Sequence, residues 1–313
     1  MCKVLVIGAG AVGVYFSGRL AQAGAEVSVV ARSDYEAASQ KGYEIKSIAG
    51  DFHFIPKNVL KSAADYENEA DFVILSSKVL PGADSVELLR PAIHSSKSTI
   101  VLIQNGIDIE KNVASAFSDN ELISAIAYIG VSRPQKAVVL HQGGGTLKLG
   151  RYPTGVGESA RYLASLFAKA KVECELCEDV IFTRWNKLLW NLPFNSVSVL
   201  AGGATTKDMT RSDELEELCR TLMDEVIAVA NACGVALTQE HAEAQMEYTR
   251  NFPAYKSSML QDFEAGRELE VEAILGNTLR LAAEHDIYVP HMATCYALLK
   301  GYHNPVFRGS PKA

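Results

Sequence analysis

Three polar residues interrupt an apolar stretch in the second half of the chain. In KLLWNLPFN, only Lys187, Asn191 and Asn195 are polar. Apolar neighbours cover nearly the whole circumference, as in a buried helix, and steps of four residues align the three polar side chains on one face. Pro193 removes one helix hydrogen bond, so the alignment of Asn195 is less constrained than that of Asn191. Burying an amine and two amides costs free energy unless each has a partner, which favours a polar face that contacts a ligand.

These residue types can perform acid–base and binding chemistry. A partly desolvated lysine can donate a proton, because burial and a neighbouring charge bring its pKa into the working range. Asparagine amides donate and accept at once, which suits the orientation of a polar substrate. The alternative is structural: amides that cap local backbone groups, and a lysine that extends its amine to the surface.

A second polar set follows in SSMLQDFEAGRELEVEAIL. Ser258 and Asp262 are four residues apart in a helical run, and Glu270 opens the next helix. A carboxylate at a helix N-terminus is kept ionised by the helix dipole. Glu270 can therefore hold a substrate hydroxyl or orient a lysine, or it is a first-turn acid with no further role.

A glycine-rich motif begins the chain. GAGAVG directly follows the strand-like VLVI and directly precedes a helical run. Gly8 permits a tight turn, Gly10 lets a pyrophosphate approach the backbone, and Gly13 allows close packing of helix on sheet. With Ala11 and Val12 they form the predicted cofactor loop, where helix amides point at phosphates. The motif predicts a dinucleotide site.

The end of the second predicted strand indicates which dinucleotide is bound. NAD sites usually place an acid there, whereas this chain reads VSVVARSD, with Arg32 and Ser33 before the first acid, Asp34. An arginine can hold a 2′-phosphate with paired donors. We therefore expect NADP, the alternative being a solvated loop arginine.

Lys78 and Asn105 follow the third and fourth predicted strands, in LSSKVL and IQNGI. Open α/β sheets bind ligands in the crevice at these strand ends. Each residue alone is ordinary, a surface lysine or a turn asparagine, but together they predict further cofactor contacts.

The elements that must position these residues change character along the chain. Strand-like runs occur at 4–8, 26–31, 72–76, 99–103, 122–131, 138–141, 146–150 and 172–176, and a helical stretch at 158–170. Arg133-Pro134 and the glycines 143–145 are read as turns. Helical patterns then follow at 181–200, 213–233, 239–249, 257–264, 271–285 and 291–302. The predicted fold is α/β: a Rossmann-type dinucleotide-binding domain over 1–179 and an all-α domain over 180–313, with a poorly ordered tail at 303–313.

Composition excludes several classes of protein. The net charge of -7 argues against nucleic-acid binding, and no apolar run is long enough for a membrane span. The sequence begins at once with a strand and has no apparent leader, so a cytoplasmic protein is expected. Of six cysteines only Cys174 and Cys177 form a close pair. No metal site is predicted, and reduced thiols are favoured over a redox dithiol.

The motifs together, in this order, resemble those of the ketopantoate reductase family, over residues 1 to about 300. The resemblance rests on GAGAVG, Arg32, Lys78, QNG around Asn105, HQGGGTLKLG from His141, the Lys187–Asn191–Asn195 spacing, SSMLQD, and the later Gly-Arg followed by Glu270. It implies NADPH-dependent reduction of 2-dehydropantoate to D-pantoate, a step toward pantothenate and coenzyme A.

The resemblance also implies roles for individual residues. Lys187 resembles the general acid, and Glu270 the acid that binds substrate and supports that lysine. Asn191, Asn195 and Ser258 resemble substrate contacts, while Lys78 and Asn105 resemble residues near the nicotinamide.

The sequence departs from the family pattern at a few positions, which leaves other 2-keto acids open as substrates. LEVE stands where many members have TEID, so Leu269 lacks a hydroxyl and Glu272 lengthens the acid. The loop after Lys78 lacks a frequent glutamine, and His141 is expected to fix a loop by hydrogen bonding.

Two other functions remain open at this point. One is a D-2-hydroxyacid dehydrogenase of the D-mandelate type, and the other a non-catalytic NADP sensor. Retention of both Lys187 and Glu270 argues against a sensor. The expected partner is a small-molecule 2-keto acid substrate, and neither a nucleic acid nor a membrane is expected. The hydrophobic content of 48% allows a homodimer interface.

Overall fold

The computed structural model describes residues 1–302, and the tail predicted to be poorly ordered lies outside them. The chain divides into two compact units. The first comprises Met1–Lys78, Gly82–Asn105 and Ile109–Ile181; the second comprises Val79–Pro81, Gly106–Asp108 and the chain from Phe182 onward. The predicted domain division after residue 179 stays a prediction.

The first unit is built on a mixed sheet. Its strands are β1 Lys3–Ile7, β2 Glu26–Val30, β3 Tyr43–Ser47, β4 Phe52–Phe54, β5 Val59–Leu60, β6 Phe72–Leu75, β7 Thr99–Leu102, β8 Leu122–Gln135, β9 Val138–Arg151 and β10 Cys174–Leu176. They lie in the order β4-β3-β9-β8-β7-β6-β1-β2-β5, with β10 beside β9. The strands from β5 to β8 in this order are parallel. The strand order reverses at β1, which is where such sheets bind ligands.

The central strands are runs of valine, isoleucine and leucine because both their faces are covered. Successive side chains of β1 alternate between two apolar clusters: Val4 and Val6 belong to one, Leu5 and Ile7 to the other. The helices of this unit are α1 Ala11–Gln22, α2 Tyr35–Lys41, α3 Ser85–Leu89, α4 Lys111–Ala116 and α5 Glu158–Lys169.

Two sequence-based readings of the sheet are wrong. Arg133-Pro134 lies within β8, and the glycines 143–145 lie within β9. The two strands form one long antiparallel hairpin. The register of pairing changes between Tyr128 and Ile129, where a β-bulge accommodates the glycine run of β9. The short strands β3, β4 and β5 were not predicted, because two to five residues carry too little alternation.

The second unit is helical in its described part. Its elements are α6 Val180–Leu200, α7 Thr206–Met209, α8 Asp213–Ala232, α9 Gln239–Asn251, α10 Ser258–Glu264, a π-helical segment Glu272–Gly276, α11 Asn277–Glu284 and α12 Pro290–Tyr302. α6 runs through Pro193 without a break. Across residues 1–302, no helix has both the length and the apolar character needed to cross a bilayer.

Candidate cofactor and substrate sites

The glycine loop after β1 is packed too closely for side chains at two of its glycines. A Cβ on Gly8, whose φ is +108°, would lie 2.4 Å from the amide nitrogen of Ser77. A Cβ on Gly13 would lie 2.2 Å from the carbonyl oxygen of Gly8 and 2.3 Å from Oγ of Ser76. Ser76 Oγ donates a 2.9 Å hydrogen bond to that same carbonyl. The loop after β6 therefore holds the glycine loop in place.

Gly10 differs, because no described protein atom lies within 4 Å of the Cβ it would carry. α1 begins at the next residue, Ala11, and has no acid in its first turn. The first-turn amides of a helix lack intrahelical partners and carry the positive end of its dipole. Ala11 and Val12 thus lie in an open, electropositive cradle that fits a pyrophosphate.

Arg32 lines a cavity of about 400 Å³ at the end of β2. The other lining residues are Ala31, Ser33, Tyr35, Glu36, Lys61 and Lys136. Three cations against one carboxylate make this a donor set for an anion such as a 2′-phosphate. Lys61 and Lys136 were not found by sequence reasoning, because only tertiary pairing brings them near Arg32.

Asp34, the first acid after β2, is buried and engaged with the protein. Its Oδ1 pairs with Arg133 Nη1 at 2.9 Å, and its Oδ2 accepts from the amide of Ala137 at 3.1 Å. Ser33 Oγ also donates to Oδ1 at 3.2 Å. These contacts favour a structural role for the carboxylate over acceptance of ribose hydroxyls.

The loops that carry Lys78 and Asn105 are linked within the sheet unit. Gln104 Nε2 donates to the carbonyl of Ser77 at 2.7 Å, and Lys78 and Asn105 are the next residues of the two loops. Both are half-buried, and each makes protein contacts. The structure brings their backbones to the ends of the neighbouring strands β6 and β7. Gln104 precedes the Asn-Gly pair and was missed as a linking residue.

Lys187 is half-buried on α6. The pKa of its amine is lowered from 10.5 to about 7: burial has the largest effect, the positive charge of Arg184 also lowers it, and the charge of Glu270 raises it. Arg184 is 6% exposed, and its Nη1 donates to the carbonyl of Gly106 at 2.9 Å. It lies one turn before Lys187, a spacing that could have identified it in the sequence.

Glu270 is buried just before the helical turn that leads into the π-helical segment. One carboxylate oxygen accepts from the amide of Val79 at 3.1 Å. Leu269 and Glu272, the two nearby positions at which the sequence differs from the family pattern, have structural explanations. Leu269 is 2% exposed, and Glu272 accepts hydrogen bonds from Tyr296 at 2.9 Å and Lys300 at 2.6 Å.

The two asparagines of α6 have different surroundings. Asn195 donates through Nδ2 to the carbonyl of Asn191 at 2.8 Å, and its Oδ1 accepts from the amide of Met259 at 3.1 Å and Oγ of Ser258 at 3.3 Å. Asn195 therefore fixes the start of α10 and the exposed Ser258. Asn191 is 6% exposed, and its amide atoms are not among the fully buried polar atoms that lack a partner in the described residues.

The predicted site residues thus fall into two sets. The cofactor set lies in the sheet unit, and Lys187, Asn191, Asn195, Ser258 and Glu270 lie in the helical unit. Gly106 also lies in the helical unit. Its φ is +96°, and its Cβ would meet the carbonyl oxygen of Ala273 at 2.4 Å, so the QNG motif requires glycine there.

His141 and the cysteine pair have structural surroundings. His141 Nε2 donates to the carbonyl of Gly144 at 3.1 Å, and its Nδ1 accepts from Ser47 Oγ at 2.9 Å. Burial lowers the pKa of this imidazole, which matches a neutral ring that fixes the loop. Cys174 and Cys177 are free, and burial raises the pKa of Cys174 to about 12, so it is a poor nucleophile.

Family models cover nearly the whole chain. Residues 4–154 match the model described as ketopantoate reductase PanE/ApbA, and residues 179–303 match the model of its C-terminal domain. The chain belongs to the ketopantoate reductase family. It is therefore an oxidoreductase of that family, with a Rossmann-like sheet domain followed by a helical domain, as predicted from the sequence.

Individual relatives agree with the family assignment. The chain is 30% identical over 303 residues to a 2-dehydropantoate 2-reductase of Nostoc sp., covering 95% of this chain and 94% of the relative. It is 44% identical to the crystal structure of 2-dehydropantoate 2-reductase from Methylococcus capsulatus, with a TM-score of 0.89 and 96% of each chain covered. A D-mandelate dehydrogenase solved with NADH and anilino(oxo)acetate has a TM-score of 0.86, covering 96% of this chain and 97% of that one; at 17% identity this likeness shows the fold alone.

Proposed function

We propose that this ketopantoate reductase family member catalyses the NADPH-dependent reduction of 2-dehydropantoate to D-pantoate. The observation that carries the proposal is the environment of Lys187, an amine whose pKa is lowered to about 7 in the helical unit, with the charges of Arg184 and Glu270 acting on it. Bound NADPH would supply the hydride for the reduction.

In this mechanism Lys187 gives a proton to the keto oxygen of the substrate. A lysine with its ordinary pKa would hold that proton too tightly at neutral pH. An amine with a pKa near 7 is a stronger acid and is still substantially protonated there. The charge of Glu270 favours the protonated amine, because it opposes the effects of burial and of Arg184 on the pKa of Lys187.

The remaining polar groups of the helical unit would bind and orient the substrate. The amide of Asn191 and the exposed hydroxyl of Ser258 would contact its carboxylate and keto groups, with Asn195 positioning Ser258. Glu270 would accept a hydrogen bond from the substrate hydroxyl. Lys78 and Asn105, at the strand ends, would contact the nicotinamide end of the cofactor.

The preference for NADPH over NADH is supported by the chemistry of the cavity at the end of β2. Arg32 lines it with two lysines, and the nearest acid in sequence, Asp34, is paired with Arg133. A related 2-keto acid reductase of the D-mandelate type is the second candidate, because a D-mandelate dehydrogenase has the same fold. A non-catalytic NADP sensor would not require a lysine with a lowered pKa.

The substrate is tested by comparing ketopantoate with ketoisovalerate, which lacks the hydroxymethyl group. A site that bonds a substrate hydroxyl leaves its own buried polar group unpaired with the analogue, so we expect kcat/KM to be about 100-fold or more higher for ketopantoate. The measurement is the loss of nicotinamide absorbance, with an aromatic 2-keto acid alongside.

Glu270→Gln provides the matched variant, because the amide keeps the size but weakens acceptance from the hydroxyl. It should lower kcat/KM for ketopantoate by a larger factor than kcat/KM for ketoisovalerate. If ketoisovalerate or the aromatic acid is the better substrate for the unmodified enzyme, the pantoate assignment is wrong and the family chemistry remains.

A further inference from the structure

The cavity at the end of β2 concentrates positive charge from three distant segments of the chain. Arg32 follows β2, Lys61 follows β5, and Lys136 lies in the hairpin between β8 and β9. Across the described residues, none of these three side chains has an ion-pair partner. Like charges around one cavity repel each other, and a bound anion relieves that repulsion.

Lys61 is held at the cavity by strand pairing. β5 lies parallel to β2, with Leu60 opposite Val30, and the amide of Ala31 donates to the carbonyl of Leu60 at 2.9 Å. The amine of Lys61 lies 4.8 Å from the centre of the Tyr35 ring, a cation–π distance. Both backbone and side chain therefore direct Lys61 to the same cavity.

Lys136 is brought there through Asp34. The buried Asp34 carboxylate binds the amide of Ala137 at 3.1 Å and Arg133 at 2.9 Å. These two residues lie on either side of Lys136 in the chain, so the carboxylate two residues after Arg32 anchors the segment that carries a second cation. A buried carboxylate with charged and amide partners makes a firm anchor.

We propose that Lys61 and Lys136 complete, with Arg32, a three-cation clamp for a ribose 2′-phosphate and so determine the preference for the phosphorylated dinucleotide. This inference rests on the proposed use of NADPH. Glu36, which lines the same cavity, opposes the phosphate through its charge. Three cations rather than one are then needed to leave a clear excess of positive charge.

The test compares two probes that differ only in the 2′-phosphate, adenosine 2′,5′-bisphosphate and 5′-AMP, by calorimetric titration of the full chain. The probe ratio is the affinity for adenosine 2′,5′-bisphosphate divided by the affinity for 5′-AMP. Each of Lys61→Gln and Lys136→Gln should lower this ratio about 3- to 10-fold, as expected for partly exposed charge pairs. Arg32→Gln should lower it about 10- to 100-fold, since an arginine can bond a phosphate with paired donors. Affinity for 5′-AMP should not change, and Glu36→Gln should raise the ratio.

Lys97→Gln is the matched control, because it removes one exposed lysine that does not line the cavity. Raising the salt concentration should lower the probe ratio, less steeply in the two lysine variants than in the unmodified protein. If the unmodified protein discriminates between the probes but both lysine variants behave like Lys97→Gln, the clamp is overturned and the proposed NADPH preference stands. If the unmodified protein binds the two probes equally, the proposed NADPH preference itself is wrong.

Discussion

At the scale of single residues, the proposed chemistry depends on how the protonation of Lys187 is set. Burial alone makes the neutral amine more stable, and Arg184 adds to this effect through its like charge. Glu270 acts in the opposite direction, so the pKa of about 7 is the balance of one desolvation effect and two charges of opposite sign. That balance can be tested by changing each charge separately.

We expect Lys187→Ala to lower kcat by about 10²–10⁴-fold, the usual contribution of a positioned proton donor, with NADPH affinity nearly unchanged. In the unmodified enzyme, kcat/KM for reduction should fall as pH rises above about 7, because the protonated amine is lost. The reverse oxidation should instead rise through the same pH range. Rates measured from pH 5.5 to 9.5 in both directions provide the comparison.

Two charge variants sharpen this pH test. Glu270→Gln removes a charge that raises the pKa of Lys187, so the decline of the reduction rate should move to lower pH. Arg184→Gln removes a charge that lowers it, so the decline should move to higher pH. Shifts in the same direction, or a Lys187→Ala enzyme with normal turnover, would show that another group donates the proton.

At the scale of elements, the strand–loop–helix unit at the start of the chain contains glycines with different surroundings. Gly13 is packed against Gly8 and Ser76, whereas Gly10 borders open space. The same substitution at the two positions should therefore have different consequences.

We expect Gly13→Ala to destabilise the protein, since its Cβ would overlap backbone and side-chain atoms, and overpacking typically costs about 1–3 kcal/mol. Gly10→Ala should change the free energy of unfolding by less than about 0.5 kcal/mol, because Gly10 has a φ of -79° and room for a methyl group. It should still weaken NADPH binding, because the methyl group lies where a pyrophosphate approaches the helix. Urea unfolding and nicotinamide fluorescence titration measure the two effects; unchanged NADPH affinity in Gly10→Ala would contradict the cradle.

At the scale of the whole molecule, buried titratable groups make stability depend on pH in two opposing ways. Burial raises the pKa of Cys2 and Cys295 to about 11 and of Cys174 and Cys219 to about 12. The unfolded chain loses these thiol protons at lower pH than the folded protein, so stability falls as pH rises above about 9. Lys187 acts in the other direction. Its folded-state pKa is lowered, so between about pH 7 and 10 the unfolded chain binds more protons and rising pH favours the fold.

The difference in unfolding free energy between the unmodified protein and Lys187→Met isolates the lysine, since the thiol contributions cancel. From about pH 7 to pH 10 this difference should shift in favour of the unmodified protein by up to about 1.4 kcal/mol per pH unit. Urea unfolding at half-unit pH intervals is the measurement. A difference that is independent of pH would mean that Lys187 has an ordinary pKa in the folded protein.

The sequence by itself determined the features that depend on local pattern. Apolar runs and 3.6-residue periodicity identified β1, β2, β6, β7 and the long helices. The glycine motif after a strand predicted the dinucleotide loop. The spacing on α6 correctly placed Lys187 and the two asparagines on one continuous helix despite Pro193. These signals are readable because each arises from neighbours within a few turns of chain.

Features that depend on distant residues were decided only by the tertiary structure. Lys61 and Lys136 join Arg32 through strand pairing and the Asp34 anchor, and no local pattern marks them. Asn195 accepts hydrogen bonds from Ser258 and from the start of α10, whereas the sequence predicted only that both asparagines lie on one helix face. The pKa of Lys187 follows from desolvation and from Glu270, far along the chain. Burial and electrostatic interactions depend on distances in space, which the sequence does not contain until the chain has folded.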